Sequence, residues 1–341
     1  MSTEASKLSD NDLQQTLRLA FGGAWGVLIC KMFNLEFGAF YCIYPVLILG
    51  LVPQLSATLV RQFFAQSAII SVEVAVLYGL FGHRPSVIIP IVFALFWWRF
   101  HLMAQGKLFF FGALGVVFLS IQLNFASYPE TNIFHMVANN SMATILAALI
   151  AGLMFFLFPD KSPRAAKPKP EKNIYSIRHE SLLGATVATL SFICFQSFDL
   201  HDSLSAQVAT VLLLFPMHWN GSRFAGKKRA YGTVLGCTLG MMVMVLLYDH
   251  HDLLPLIGLM LFPVLMLCAR WHMLENGVSG VGFAALTTQS ILYGQYLQPN
   301  HDIVFDILYR FTSVSVAVLL TLFAIFVMHK LLNLSKWTRH A

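Results

Sequence analysis

Twelve stretches of the chain are apolar almost without interruption. In the first half they span residues 17–33, 37–52, 63–81, 87–98, 108–125 and 142–158; in the second, 182–198, 204–217, 231–248, 253–269, 278–293 and 307–332. None alternates apolar and polar residues with a period of two, so a transmembrane β-barrel is not expected. Segments that are apolar on every face read as helices surrounded by lipid. A membrane helix takes roughly 20 residues, so a chain of 341 residues has room for about twelve, joined by short loops, and for no large soluble domain. The predicted fold is therefore an all-α polytopic membrane protein.

The two sets of six runs resemble each other. Ile29-Cys30 and Ile193-Cys194 fall at the same point of the first run of each half, followed by Asn34-Leu35 and Asp199-Leu200. Leu77-Tyr78 matches Leu247-Tyr248, and Arg99-Phe100-His101-Leu102-Met103 matches Arg270-Trp271-His272-Met273-Leu274, with Gly106 and Gly277 at equal spacing beyond. Residues 1–159 thus form a first six-helix repeat and residues 181–341 a second. Residues 160–180 form a linker holding Pro163, Pro168 and Pro170 among Lys161, Arg164, Lys167, Lys169 and Lys172. A linker of that composition has no core of its own. Six helices per repeat is an even number, so the two repeats run parallel, related by an axis along the membrane normal.

Charge then places the loops. Charged residues make up only 11% of the chain, against about 25% in a soluble domain, which excludes an ordinary soluble enzyme and a disordered chain. The net charge of +6 lies in particular loops: Arg61, the cluster Arg223, Lys227, Lys228 and Arg229, then Arg99, Lys107 and Arg270, the linker, and Lys330, Lys336 and Arg339. With twelve spans all of these fall on one side. They follow the positive-inside rule and set topology; they are no footprint of nucleic acid. Both termini and the linker are then cytoplasmic. The five cysteines lie in apolar runs and read as small buried hydrophobes.

Inside the apolar runs ionisable residues are scarce, and such residues face a cavity or a partner. Glu73, in the middle of the third run, is the deepest, with Val243 at the corresponding point of the second half. It reads as a proton-coupling carboxylate or a cation's partner, or else as a glutamate buried neutral or paired structurally. Lys31 ends the first run, opposite Phe195 of the second half; it attracts an anion or snorkels to the surface. Arg310 opens the last run one turn after Asp306, a spacing that allows an ion pair on one helix face or leaves the cation for an anion. The second runs of both halves are short and interrupted or ended by Pro45, Pro53 and Pro216, which in matching positions points to a transport site. The Arg-aromatic-His units at Arg99 and Arg270 read as interfacial anchors. No phosphate-binding loop, nucleophile elbow or zincin motif is present, so neither enzyme activity nor a cofactor is expected. Asp249-His250-His251-Asp252 lies in one short loop and is not expected to hold a metal.

At the start of the ninth run the sequence reads Arg229-Ala230-Tyr231-Gly232-Thr233-Val234-Leu235-Gly236. This R-x-x-G-T-x-x-G pattern, following a basic loop, resembles the fusaric acid resistance and aromatic acid exporter family of bacterial inner-membrane proteins. In the first half Arg61 keeps its place, while Phe64, Ala65 and Ala68 replace the small and hydroxyl residues. Physically, Gly232 and Gly236 permit close helix packing and Thr233 can bond across helices; Arg229 would anchor the boundary or touch substrate. The resemblance implies efflux of small aromatic or amphipathic organic anions across the inner membrane, with a periplasmic membrane-fusion adaptor; a homo-oligomer is a further partner to expect. Members often carry a large cytoplasmic domain, for which this chain has only the linker. The alternatives are a passive anion channel and a non-transporting membrane assembly subunit.

Overall fold

The computed structural model describes residues 8–82, 84–106, 108–162, 172–198, 200, 203–248, 250, 252–297 and 303–339, without the side chains of residues 296, 303, 304, 306 and 307. Much of the linker and half of the Asp249–Asp252 cluster, residues 249 and 251, therefore lie outside the described residues. Twelve α-helices follow in order: α1 (Asp10–Met32), α2 (Gly38–Leu51), α3 (Ala57–Phe81), α4 (Pro85–Gln105), α5 (Phe109–Ala126) and α6 (Ile133–Leu157), then α7 (Ile174–Ser197), α8 (Leu204–Leu213), α9 (Trp219–Leu246), α10 (Leu254–Leu274), α11 (Val281–Tyr296) and α12 (Ile303–Leu334). Among the described residues there is no strand.

Among the described residues, seven helices are long and apolar enough to cross a membrane: α3, α4, α5, α6, α9, α10 and α12. The chain is a multi-pass membrane protein. α1 and α7 match these in length but begin with polar turns, carrying Asn11, Asp12, Gln15 and Arg18 in one and Arg178, His179 and Glu180 in the other. At 1.5 Å per residue, the 14 residues of α2 span about 21 Å and the 10 of α8 about 15 Å, short of a hydrocarbon core of about 30 Å. Every residue of α8 is buried, and all of α2 from Gly38 to Gly50. These two helices are enclosed by protein, a setting in which a membrane protein tolerates helix ends at depth.

The chain forms two compact units that cut across its sequence halves: 1–56, 142–166 and 228–311 in one, and 57–141, 167–227 and 312–341 in the other. Within the first unit α1 packs on α2 and α10, and α2 and α10 both pack on α11. Within the second, α7 packs on α8 and α4, and α8, α4 and α3 all pack on α5. Each unit therefore joins the first two helices of one half to the middle helices of the other.

Local chemistry explains how the elements end. α1 starts with a reciprocal cap between Ser9 and Asp12. It stops where Asn34 takes a left-handed conformation (φ 45°), with Leu35 N–H donating to Cys30 O and Asn34 N–H to Lys31 O. In α7, Leu200 N–H bonds Phe195 O in the same way. The two ends coincide at a shift of 165 residues, placing Lys31 against Gln196 in place of Phe195.

The register of α4 and α10 also differs from the sequence match. Gly112 of α5 packs on Arg99 O and Met103, and Gly282 of α11 packs on Cys268 O and His272. Arg99 thus corresponds to Cys268, two positions from Arg270. Two residues turn a helix by about 200°, so the similar tripeptides present opposite faces.

Candidate functional site

The second unit buries a polar cluster among α3, α4 and α5. Arg99 is fully buried, and its Nη2 donates to Glu73 Oε2 at 2.5 Å while Nη1 donates to Leu95 O at 3.1 Å. The Glu73 side chain retains 19% of its surface. Helix α3 runs for 25 residues with Glu73 eight residues before its end, and α4 continues six residues past Arg99. The pair is thus about 9–12 Å from the nearer helix ends. Sequence pattern had ended the fourth apolar run at residue 98 and read Arg99 as an interfacial anchor. That expectation is corrected: backbone hydrogen bonding carries α4 on to Gln105, which places Arg99 within the helix.

Gln66 sits two helical turns before Glu73 on the same face of α3. Both atoms of its amide are buried without a hydrogen-bond partner. They face Gly115 of α5: a Cβ there would lie 2.5 Å from Gln66 Nε2 and 2.8 Å from Arg99 Nε. Gln122, two turns beyond Gly115, is likewise fully buried with an unpartnered amide. Asn140 of α6 completes this polar interior by donating to Ser67 and Ser71 of α3, at 2.8 Å and 3.1 Å.

The family-like motif lies in the other unit. α9 begins at Trp219, so Arg229 is a buried residue of the helix, with Nη1 donating to Thr287 Oγ1 of α11 at 2.9 Å. One turn on, Gly232 packs on Ala284 and Val281 O, and Gly236 on Ala285 and Thr288. Thr233, beside Gly232, is buried. All four residues therefore come together along α9, and three of them demonstrably meet α11, as close packing of small residues requires.

Lys31 lines a pocket of about 320 Å³ including its open mouth, with Cys30, Asn34, Leu35, Cys42, Tyr293 and Gly294. Gly294 of this lining also meets Gly38 backbone to backbone, a contact between α2 and α11 with no room for a Cβ on either glycine. Arg310 is buried and its Nη2 donates to Gln295 Oε1 at 2.5 Å. Asp306 belongs to α12, but its side chain lies outside the described ones, so its pairing with Arg310 is not described. Lys31 and Arg310 are in the unit that lacks Glu73. Of the cysteines, Cys42, Cys237 and Cys268 are buried, Cys30 is half-buried and Cys194 is exposed.

Sequence pattern missed Arg99 and a second buried cation, Arg18 of α1. Arg18 Nε donates to Phe158 O at 2.7 Å, Nη2 bonds Asp160, and the guanidinium lies 4.2 Å from the centre of the Phe155 ring. The signals differ: Arg99 lies just past the apolar run 87–98 but inside α4, whereas Arg18 lies inside the run 17–33, one residue from its start.

Two family models match the chain. Residues 15–154 match a protein family of unknown function, DUF2955, and residues 187–324 match the fusaric acid resistance protein-like family. The matched ranges begin 172 and end 170 residues apart, one on each half. No curated protein and no solved structure matches the chain. The fusaric acid resistance-like match associates the chain with membrane transport. With its motif packed as a helix seam and its second half matched from α7 into α12, the chain carries a fusaric acid resistance protein-like domain at residues 187–324.

Proposed function

We propose that this protein is a secondary efflux transporter of the bacterial inner membrane, carrying small aromatic or amphipathic organic anions, with proton coupling through Glu73. The observation that supports this most is the Glu73–Arg99 pair. A carboxylate and a guanidinium lie in the middle of apolar helices, where each alone is expensive, beside amides that lack partners. A charged cluster of that kind, in a chain with a fusaric acid resistance-like domain, suits recognition of an anion.

The layout that goes with this reading has twelve membrane elements arranged as two parallel six-helix repeats. The recurrence of α1 on α10 and α7 on α4, and of α2 on α11 and α8 on α5, supports it. The basic loops favour both termini in the cytoplasm. A periplasmic membrane-fusion adaptor is the partner that such an exporter would use to clear the outer membrane, and no enzymatic chemistry is assigned to the chain.

The test compares cells that express the chain with cells that lack it, across a panel of aromatic acids, and repeats the comparison with Glu73→Gln. Expression should raise tolerance. The variant should reach the membrane in equal amount and confer none. Full tolerance with Glu73→Gln removes the coupling role, and equal sensitivity of expressing and lacking cells removes the exporter reading.

A further inference from the structure

We propose that Arg99 is a carboxylate-binding site for which Glu73 and the transported anion compete, so that one proton is taken up with each anion bound. This rests on the reading of the chain as an organic-anion transporter.

The geometry of the guanidinium is the starting point. Nε and Nη2 form one edge of its fork, the edge that grips a carboxylate with two parallel bonds. Glu73 occupies only the Nη2 half, while Nε is buried without a partner. Beside Nε lies Gln66 Nε2, also without a partner, both packed so closely on Gly115 that a Cβ there would collide with them. Buried donors left unsatisfied are costly, and the resident carboxylate leaves two of them so. A free carboxylate can take both halves of the edge and reach the Gln66 amide. Glu73 itself shows what chemistry the place accepts.

Charge balance then fixes the proton count. With Glu73 ionised and no anion, the site is neutral. With an anion on Arg99 and Glu73 still ionised, two negative charges share one buried cation; with Glu73 protonated and no anion, Arg99 is left uncompensated. Both mismatches are costly in a low-dielectric interior. The exchange that keeps neutrality transfers a proton from water to the Glu73 carboxylate, breaks its ion pair with Arg99, and forms a new ion pair between Arg99 and the incoming carboxylate. No covalent bond to carbon changes and nothing is oxidised. Anion and proton therefore move together, and export is driven by accumulation of the acid on the releasing side's opposite face.

Other titratable groups on the elements packed here are bonded elsewhere or lie near helix ends. α5 and α8 carry none. On α3, Tyr78 donates to Leu123 O and Arg61 to Ala57 O; on α4, His101 bonds Gln105. On α7, His179 bonds His329 and Thr338 O, Glu180 pairs with Lys172, and Arg178 lies over Trp337, while Tyr175 and Cys194 are at the helix ends.

The experiment measures binding of benzoate to the full chain in lipid nanodiscs by titration calorimetry between pH 5.5 and 8.5, with benzamide as the uncharged comparison. Wild type should bind benzoate about tenfold more weakly for each pH unit above the Glu73 titration, with about one proton taken up per benzoate. Glu73→Gln should bind with no pH dependence and at least about tenfold more tightly than wild type at pH 8.5, following the same linkage. The double variant Glu73→Gln with Arg99→Gln, which leaves no unpaired charge, should not bind. Benzamide should bind none of them. An unchanged pH slope in Glu73→Gln, undiminished binding in the double variant, equal binding of benzamide, or no benzoate binding by any form overturns the proposal. Loss of export in Glu73→Gln with unaltered benzoate binding refutes the competition and leaves the transport reading standing. The expected binding pattern without export by wild type does the reverse.

Discussion

Replacing Gly232 by alanine tests whether the R-x-x-G-T-x-x-G motif is a packing seam. The added Cβ would lie 2.5 Å from Val281 O and 3.2 Å from Ala285 N, and would collide with the Ala284 side chain. Restoring ordinary contact requires α9 to retreat from α11 by about 1 Å, and overpacking of this kind costs about 1–3 kcal/mol. Retreat also stretches the bond from Arg229 to Thr287 one turn earlier. Bonds from charged donors contribute about 1.5–3 kcal/mol when intact. Against this stands the intrinsic gain of alanine over glycine inside a helix, up to about 1 kcal/mol. The balance is a net loss of about 2 kcal/mol, a fall in Tm of roughly 4–8 °C. Gly79→Ala and Gly152→Ala supply the controls, because a Cβ at either meets nothing within 4 Å. They keep the helix-propensity gain without the collision and should leave Tm unchanged or raise it. Tryptophan fluorescence during thermal unfolding of the full chain in micelles reads all three. A Gly232→Ala protein as stable as Gly152→Ala would refute the reasoning and return the motif to direct substrate contact.

Asn140→Leu removes the donor shared by Ser67 and Ser71 and should destabilise the second unit by about 1–3 kcal/mol, seen in the same unfolding assay. Arg18→Gln frees Asp160 and the Phe158 carbonyl, and should raise trypsin cleavage after Lys161 several-fold. Gly38→Val drives α2 off α11 at Gly294 and should lower Tm more than Gly232→Ala, because its Cβ would strike the Gly294 carbonyl and valine adds two further methyls.

Much of the helix order was legible in the apolar runs, because a helix in lipid is apolar on every face. Its ends were less so. The runs 87–98 and 231–248 were bounded at charged residues, whereas α4 and α9 include Arg99 and Arg229, since helical hydrogen bonding needs no apolar side chain when the residue faces protein. The arrangement into units was not legible either. Local pattern shows that two halves resemble each other but not that α1 chooses α10 and α7 chooses α4. Glu73 stood out as a lone charge in an apolar run; its partner did not, because the similar tripeptides at Arg99 and Arg270 suggested one shared role, and the register of α4 and α10 puts them on opposite faces.

The difference between the two units also bears on why the pair exists. A buried ion pair adds little stability over apolar residues of similar size, and replacing both partners is often neutral. The first unit supplies such a replacement. Gly236 meets Ala285 there as Gln66 meets Gly115, which brings Val243 to the place of Glu73, and Cys268 to that of Arg99. Helices of matching order thus pack without any charge at these points, so packing does not require the pair. Exchanging both residues at once, Glu73→Val with Arg99→Cys, should therefore leave membrane level unchanged and Tm within a few degrees of wild type, yet remove tolerance to aromatic acids. The single change Glu73→Val, which strands a buried guanidinium, should cost about 3–5 kcal/mol more than the double. Full tolerance in the double variant would show the pair to be dispensable for transport, whereas collapse of the double variant to the level of the single would make it a structural requirement of this unit alone.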